Sequence, residues 1–540
     1  MPSTTPFASA PAAQGAAMDV MLRWMLLIVG GVTLIRIAAI AISPLDLHFD
    51  EAQYWAWSRQ LDWGYFSKPP LVAWAIATTT AVFGNGEWAV RLTAPLGHAA
   101  ASVILFFLAR RLYGSTAGLL AGVGWLCMPA VWLSSAVIST DALLLPIWAG
   151  ALWAFFRLLD KPGWGPAIGL GVLIGVGALA KYAMLYFVGC AALAALIAPG
   201  ARAALLSRYG LVSALAALAV LMPNLAWNAS HDFATIEHTA ANANLEGDLF
   251  NLGEMIDFLF SQLGVFGPVL FGALVFLLYR AARRFGALSE TDRILIAFIL
   301  PPLVAITFQA LLSRAHANWA ASAYPAGVVW LAGQLVVSQA GRRVLIGGHG
   351  LNALIGAVFL SFTAFPPLAD ALGVGGPFKR ARGWDAVCQE TAARTAVPGA
   401  AYSAVLVDHR ALFFALSYYC RPEVLERPLP PIRMWLLRAE AANHAAATAP
   451  MNTAYDANVL VVHMSEGYVP VVWEDFRQAD WLGRTIIDLG GGQTRWIGYS
   501  HVSGFAPVTR DDAFEDRLRT RPTPPVLPGE ADPNLGKASP

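Results

Sequence analysis

A polytopic α-helical membrane protein with a C-terminal α/β domain is the fold class this sequence predicts, and three observations predict it. The chain is 57% apolar and 13% charged, with a mean hydropathy of +0.55. Soluble domains carry roughly 25% charged residues, so lipid must be the solvent for most of this chain. Up to about residue 364 it is built of apolar runs, many close to the ~20 residues needed to cross a bilayer. From about Phe365 those runs shorten, charges and prolines rise, and strand-like pieces follow. A formal net charge of +1 leaves no basic excess for nucleic acid. The 19 tryptophans suit indole rings seated at lipid headgroups.

Taken in order, residues 1–21 read as a disordered, Ala/Ser/Pro-rich N-terminus. The first apolar run, 22–43, lacks a small-residue cleavage pattern and reads as a retained signal-anchor helix. Further helices are expected near 88–109, 116–137, 142–159, 165–180, 182–198, 210–226, 256–279, 291–312, 320–338 and 344–364. With the first, that makes about 11 transmembrane helices in a domain covering 22–364, with a first outer loop at 44–87.

The stretch 69–84 either spans or lies along the interface, and charge decides between the two. If it lies flat, Arg110, Arg111, Lys161, Arg202, Arg208, Arg280, Arg283, Arg284, Arg342 and Arg343 collect on one face. The other face keeps only Arg59, Lys68, Lys181 and Arg314, with Arg91 at a helix mouth. Basic residues favour the cytoplasmic side of short loops. The flat reading therefore puts the N-terminus inside and the C-terminus outside. An extracytoplasmic α/β domain is expected over 365–518, with strands at 401–407 and 458–463 flanking a helix at 410–419, and then a disordered tail at 519–540. The chain shows no inverted repeat of the transporter kind.

The first outer loop holds the residues best suited to chemistry. It reads Leu47-His48-Phe49-Asp50-Glu51-Ala52-Gln53-Tyr54-Trp55, then Trp63-Gly64-Tyr65-Phe66-Ser67-Lys68-Pro69-Pro70. By itself this is either a solvated loop with an aromatic belt or a charged site at the membrane surface, where buried charge is costly. On the flat topology Asp141, Lys181, Arg314 and His316 reach the same face as Asp50 and Glu51. Each has an ordinary alternative: Asp141 as a helix cap, Lys181 as a snorkelling lysine, His316 beside Trp319 as an interfacial anchor, and Arg314 as a topology charge. His231, Glu237 and His238 lack tight metal spacing and read as solvated, and no metal or other cofactor is required. Cys127 and Cys190 sit in apolar runs. Cys388 and Cys420 share the outer domain and are a candidate disulfide in an oxidising compartment.

The motifs Asp50-Glu51-Ala52-Gln53-Tyr54, Lys68-Pro69-Pro70-Leu71, and Phe83-Gly84 through Glu87 to Arg91-Leu92 occur in this order. They are followed by Ser139-Thr140-Asp141-Ala142-Leu143, Ala180-Lys181-Tyr182, and His316-Ala317-Asn318-Trp319 to Tyr324-Pro325. Together they resemble the bacterial branch of the protein O-mannosyltransferase/aminoarabinose transferase group, within the C-type glycosyltransferase superfamily. The resemblance covers roughly residues 20–365. It implies a polyprenyl-phosphate-sugar donor and an outward-facing active site, and the leading reading is an inverting glycosyltransferase on the outer face of a bacterial inner membrane, acting on lipid A, another glycan or a protein.

It also implies that the first outer-loop acid is the catalytic base; Asp50 is the candidate, with Glu51 positioning it or the substrate, and Asp141, on the same face, is the next catalytic candidate. Tyr54, Lys68, Arg91 and Lys181 are the candidates to hold the donor phosphate, and His316, Asn318 and Trp319 to line the substrate site. Physical chemistry agrees. A phosphate leaving group needs nearby positive charge rather than a proton, whereas an acceptor hydroxyl needs a carboxylate within hydrogen-bond reach. One departure stands out: aminoarabinose transferases carry an acid just before Lys-Pro-Pro, where this chain has Ser67. The rival from another class is a membrane transporter or lipid flippase, which would place its ionisable residues at mid-membrane.

Overall fold

The computed structural model describes residues 13–241, 250–399 and 401–520. Most of the expected N-terminal disorder and C-terminal tail lies outside them. The described chain forms two compact units. One contains residues up to Ile42, Asp62–Gly64 and Lys68–Ala364; the other contains Ser43–Leu61, Tyr65–Ser67 and the chain from Phe365.

The first unit is helical. Its first helix, Ala13–Ile42, starts earlier than expected, so residues 13–21 are helical rather than disordered. Six described helices are long and apolar enough to cross a membrane, or eight if each of two bent pairs counts as one crossing. Leu71–Phe83, Trp164–Ala180 and Tyr182–Ile197 are apolar but shorter, so length and composition alone do not reach the expected eleven.

The bent pairs correct two expectations. Ser115–Cys127 and Pro129–Ala136 meet at 54°, and Leu252–Phe266 and Pro268–Arg283 at 115°, where single helices were expected at 116–137 and 256–279. Pro129 and Pro268 supply no backbone N–H, and their rings clash with the preceding turn. Gly267 adds a φ of 98°, which a residue without Cβ adopts at low cost. The expected helix at 320–338 divides too, into a 3₁₀ segment Ala317–Ala323 and the helix Tyr324–Leu335.

Elsewhere packing is close. Trp148, Phe155, Phe187 and Phe298 meet in the core. Gly171 and Gly175 admit helix Arg208–Ala229, and a Cβ on Gly171 would lie 2.2 Å from the Ser213 carbonyl oxygen. Small residues four apart serve this purpose where lipid provides no hydrophobic drive between helices.

The second unit is a mixed α/β domain around a five-stranded sheet of order β2-β1-β3-β5-β4. The strands are β1 Ala404–Val407, β2 Ile432–Met434, β3 Val459–His463, β4 Phe476–Gly490 and β5 Gln493–Phe505. β1 pairs in parallel with β2 and β3, whereas β3/β5 and β5/β4 are antiparallel. Both expected strands and the helix between them, Arg410–Tyr419, are present. β1 and β3 are buried along their whole length, as suits strands covered on both faces. Asp408, His463 and Ser500 line up in a chain that has the order of a hydrolase triad, with Ser500 Oγ 2.9 Å from His463 Nε2 and Asp408 Oδ2 3.5 Å from His463 Nδ1. All three are buried, with no exposed nucleophile, so the chain ties β3 to β5 rather than doing chemistry.

The Cys388–Cys420 disulfide forms, with Cα atoms 5.5 Å apart, and joins helix Trp384–Thr395 to the end of helix Arg410–Tyr419.

The loop after the first span also folds as part of this unit. The expectation kept 44–87 together with the membrane domain, but Ser43–Leu61 and Tyr65–Ser67 group with the chain beyond Phe365. The cause is aromatic burial. Trp55 meets Tyr418 edge-on at 4.9 Å, Trp57 stacks on Tyr65 at 4.6 Å, and His444 closes on Trp57 at 5.4 Å. The Tyr419 hydroxyl accepts from Leu47 N at 2.6 Å, and Asp46 Oδ2 accepts from Trp384 N at 2.7 Å. Tyr54, Trp55 and Trp57 are thus core side chains of the α/β domain, not an exposed headgroup belt.

Candidate active site

Each unit carries one cluster of the sequence-predicted residues. In the α/β unit the cluster sits on helix Phe49–Ser58, whose start is fixed by its own sequence. His48 Nδ1 accepts from Asp50 N at 3.2 Å, and Glu51 Oε2 accepts from His48 N at 2.9 Å. This is a reciprocal capping box, and two acids in the first turn suit the helix dipole. Burial pushes His48 below its ordinary 6.5, which keeps the ring neutral and Nδ1 able to accept.

Glu51 is therefore turned back to the backbone and buried, whereas Asp50 points outward with its side chain 41% exposed. Asp50 Oδ1 accepts from Arg410 Nη1 at 3.1 Å, and Oδ2 lies 3.6 Å from His48 Nδ1. The same Arg410 Nη1 donates to Gln53 Oε1 at 2.8 Å, and its guanidinium lies 4.7 Å over the Phe49 ring. Tyr54 is buried beside Trp57.

In the helical unit the cluster centres on Asp141. Lys181 Nζ lies 2.8 Å from Asp141 Oδ1 and 3.0 Å from Oδ2, and Asn318 Nδ2 donates to Oδ2 at 2.6 Å. Residues far apart in the chain meet here, and two of the ordinary alternatives give way. Ser139, not Asp141, caps helix Thr140–Asp160, by accepting from Ala142 N at 3.2 Å. Lys181 is paired rather than snorkelling. His316 is exposed and meets Trp319 edge-on at 5.2 Å, and Arg314 is exposed. Lys68 is half-buried ahead of helix Leu71–Phe83, and Arg91 is buried at the end of the short helix Glu87–Arg91. Among the described residues no group of three or more His, Cys, Asp and Glu has metal-holding geometry.

Three features escaped sequence reading. Arg410 stands 360 residues from Asp50 in a stretch without a motif. Next to Lys181, the Tyr182 hydroxyl donates to Asn224 Oδ1 at 2.8 Å and accepts from Asn228 Nδ2 at 3.1 Å, and Asn224 Nδ2 donates to the Trp63 carbonyl at 2.6 Å. The two asparagines are fully buried, and their spacing of four on one apolar helix was the available signal. Arg36, buried in the first helix, donates to the Leu126 carbonyl and lies 4.3 Å over Trp132.

A unit of apolar helices long enough to cross a membrane and a mixed-sheet domain, each with an acid-centred cluster, define a multi-pass membrane protein with a folded α/β domain. Residues 67–227 match the family described as dolichyl-phosphate-mannose-protein mannosyltransferase. The chain is 36% identical over 403 residues to the lipid A galacturonosyltransferase RgtD of Rhizobium johnstonii, covering 73% of this chain and 82% of that protein. It is therefore a member of the membrane glycosyltransferase family to which RgtD belongs. It is also 28% identical over 196 residues to the lipopolysaccharide core galacturonosyltransferase RgtA of the same organism, covering 34% of this chain and 38% of that one. Among solved structures, ArnT from Cupriavidus metallidurans bound to undecaprenyl phosphate shares the fold, with a TM-score of 0.57 at 16% identity over 90% of this chain and 99% of that one. The transporter reading gains no support from these relatives.

Proposed function

We propose that this enzyme transfers a galacturonosyl residue from a polyprenyl-phosphate donor to lipid A or the adjoining lipopolysaccharide core, on the periplasmic face of the inner membrane. The observation that carries this reading is the 36% identity to the lipid A galacturonosyltransferase over most of both chains. The basic-residue asymmetry supports the orientation, with the C-terminal domain and the first outer loop outside.

In this reading Asp50 takes the proton from the acceptor hydroxyl. It is half exposed, held on a capped helix, and has oxygen lone pairs to spare beside Arg410. Glu51 is a positioning residue that sets the helix start. Lys68, Arg91 and Lys181 offset charge on the departing phosphate, which leaves without a general acid. Tyr54 steadies the helix that carries Asp50, while Asp141 orients Lys181 and Asn318. The exposed His316, with the half-buried Trp319 edge-on to it, offers a polar and aromatic pair for the substrate. Direct displacement by one activated hydroxyl inverts the sugar.

The test is the purified full-length protein in nanodiscs with lipid A and polyprenyl-phosphate-linked galacturonic acid, the product being read by mass spectrometry. Mass gain by one uronosyl unit is the expected result. No gain with that donor, alongside transfer from a neutral hexosyl or an aminopentosyl donor, overturns the reading.

A further inference from the structure

Arg410 is the cation bound to the candidate base, and it is only partly used. A guanidinium presents five N–H groups in a fixed fork. Both protons of Nη1 are engaged, one by Asp50 Oδ1 and one by Gln53 Oε1. The Nε and Nη2 edge, the one that matches a carboxylate with two parallel hydrogen bonds, has no hydrogen-bond partner among the described residues. The side chain is 35% exposed, so that edge is open to a ligand.

The edge is also held in place. Phe49 lies under the guanidinium plane at 4.7 Å. Arg410 opens a helix capped by His409, whose Nδ1 accepts from Ala411 N at 3.1 Å, and the Cys388–Cys420 disulfide anchors the far end of that helix. Arg380 also acts on this corner through its charge, which lowers His48.

A uronosyl donor raises a difficulty that a neutral hexosyl donor does not. It brings a second carboxylate, on the same ring as the reacting carbon, up to the carboxylate of the base. Like charges that close repel, and each disfavours ionisation of the other. A cation bridging both removes the penalty, and Arg410 already holds one of them.

We propose that Arg410 is the sugar-specificity residue of this enzyme, its Nε/Nη2 edge binding the carboxylate of a uronosyl donor while Nη1 keeps Asp50 in place. The proposal rests on the galacturonosyl reading of the function and names the residue that enforces it.

The experiment compares wild type, Arg410→Gln and Arg410→Lys, as full chains in nanodiscs, for affinity towards two lipids. One is polyprenyl-phosphate galacturonic acid. The other is its galactose counterpart, in which a hydroxymethyl group replaces the carboxylate. Wild type should prefer the uronosyl lipid. Arg410→Gln should bind it about 10- to 100-fold more weakly, the range for losing charge-assisted hydrogen bonds, and bind the galactosyl lipid within about threefold of wild type. Arg410→Lys, which keeps the charge but loses the fork, should fall between. Unchanged binding of the galactosyl lipid also shows that the variant is folded. Equal loss for both lipids, or no loss for either, overturns the proposal and leaves Arg410 as a support for Asp50. A wild type that does not transfer the uronosyl unit at all overturns the functional reading instead.

Discussion

The two acidic clusters differ in how much of the carboxylate each leaves available. Asp141 has 15% of its side chain exposed; Lys181 bonds both its oxygens, and Asn318 takes a further position on one of them. Asp50 is 41% exposed, with one oxygen on Arg410 and the other 3.6 Å from a neutral histidine. A carboxylate saturated by a lysine and an amide holds those groups in place; one with an open lone pair can take a proton. The difference follows from local scaffolding. Asp141 faces two donors from separate segments of the helical unit, whereas Asp50 stands on a helix whose adjacent acid, Glu51, is consumed by the cap. Two neighbouring acids thus have different roles because one closes the helix and the other does not.

If the scaffold of Asp50 is what separates the two sites, weakening it should leave the Asp141 cluster untouched. The largest effect should come from the disulfide. Cys388→Ser removes a crosslink spanning 32 residues and should cost about 3 kcal/mol in the α/β unit. Hydrogen exchange should then speed up over 384–420 and 49–58, and not around 139–142.

The second probe is pH. His444 packs on Trp57 and Tyr65, and burial lowers it from 6.5 to about 4. A histidine depressed in the folded state binds its proton more readily when unfolded. Its contribution is therefore complete above pH 6.5 and is lost as pH falls towards 4, on the order of 2–3 kcal/mol at the lower end. His48 and His409 are also lowered by burial and act in the same direction. Protection factors in 43–61 and 401–420, with the intrinsic pH dependence of exchange divided out, should fall from pH 7 to 4, and flat protection would show that His444 is not held neutral.

Lys181→Met tests the other side. It leaves a largely buried carboxylate with only Asn318 and should cost about 2 kcal/mol in the helical unit, together with weaker donor binding. Melting of detergent-solubilised protein and a donor titration check this. The smallest effect should be Glu51→Ala, about 1 kcal/mol for half of a capping box, seen as faster exchange confined to 49–58.

The sequence made the parts of this comparison visible but not their partners. The Asp-Glu pair, the Lys-Pro-Pro turn, Asp141 with Lys181, and the paired cysteines all carry a local or compositional signal. The grouping of Ser43–Leu61 with the C-terminal domain carries none. Aromatic residues beside a membrane helix have the same composition whether they face headgroups or fill a domain core, and only the tertiary partners Tyr418, Tyr419 and His444 decide. Arg410 is hidden for the same reason, as one arginine at the start of an unremarkable helix. The helix breaks are a different case, because Pro129, Gly267 and Pro268 announce them, yet hydropathy summed over a window runs straight across.

The central claim is that Asp50, not Asp141, takes the proton. The direct measurement is kcat at saturating donor, with donor affinity determined separately, for Asp50→Asn and Asp141→Asn in the same nanodisc preparation. Asparagine keeps the size and the hydrogen bonds but takes no proton at neutral pH. Asp50→Asn should lose about 10²- to 10⁴-fold in kcat, the range for general base catalysis, and still bind donor. Asp141→Asn should weaken donor binding and keep kcat within about tenfold of wild type. Near wild-type kcat in Asp50→Asn, with collapse in Asp141→Asn at full donor occupancy, would contradict the account and move the base to Asp141.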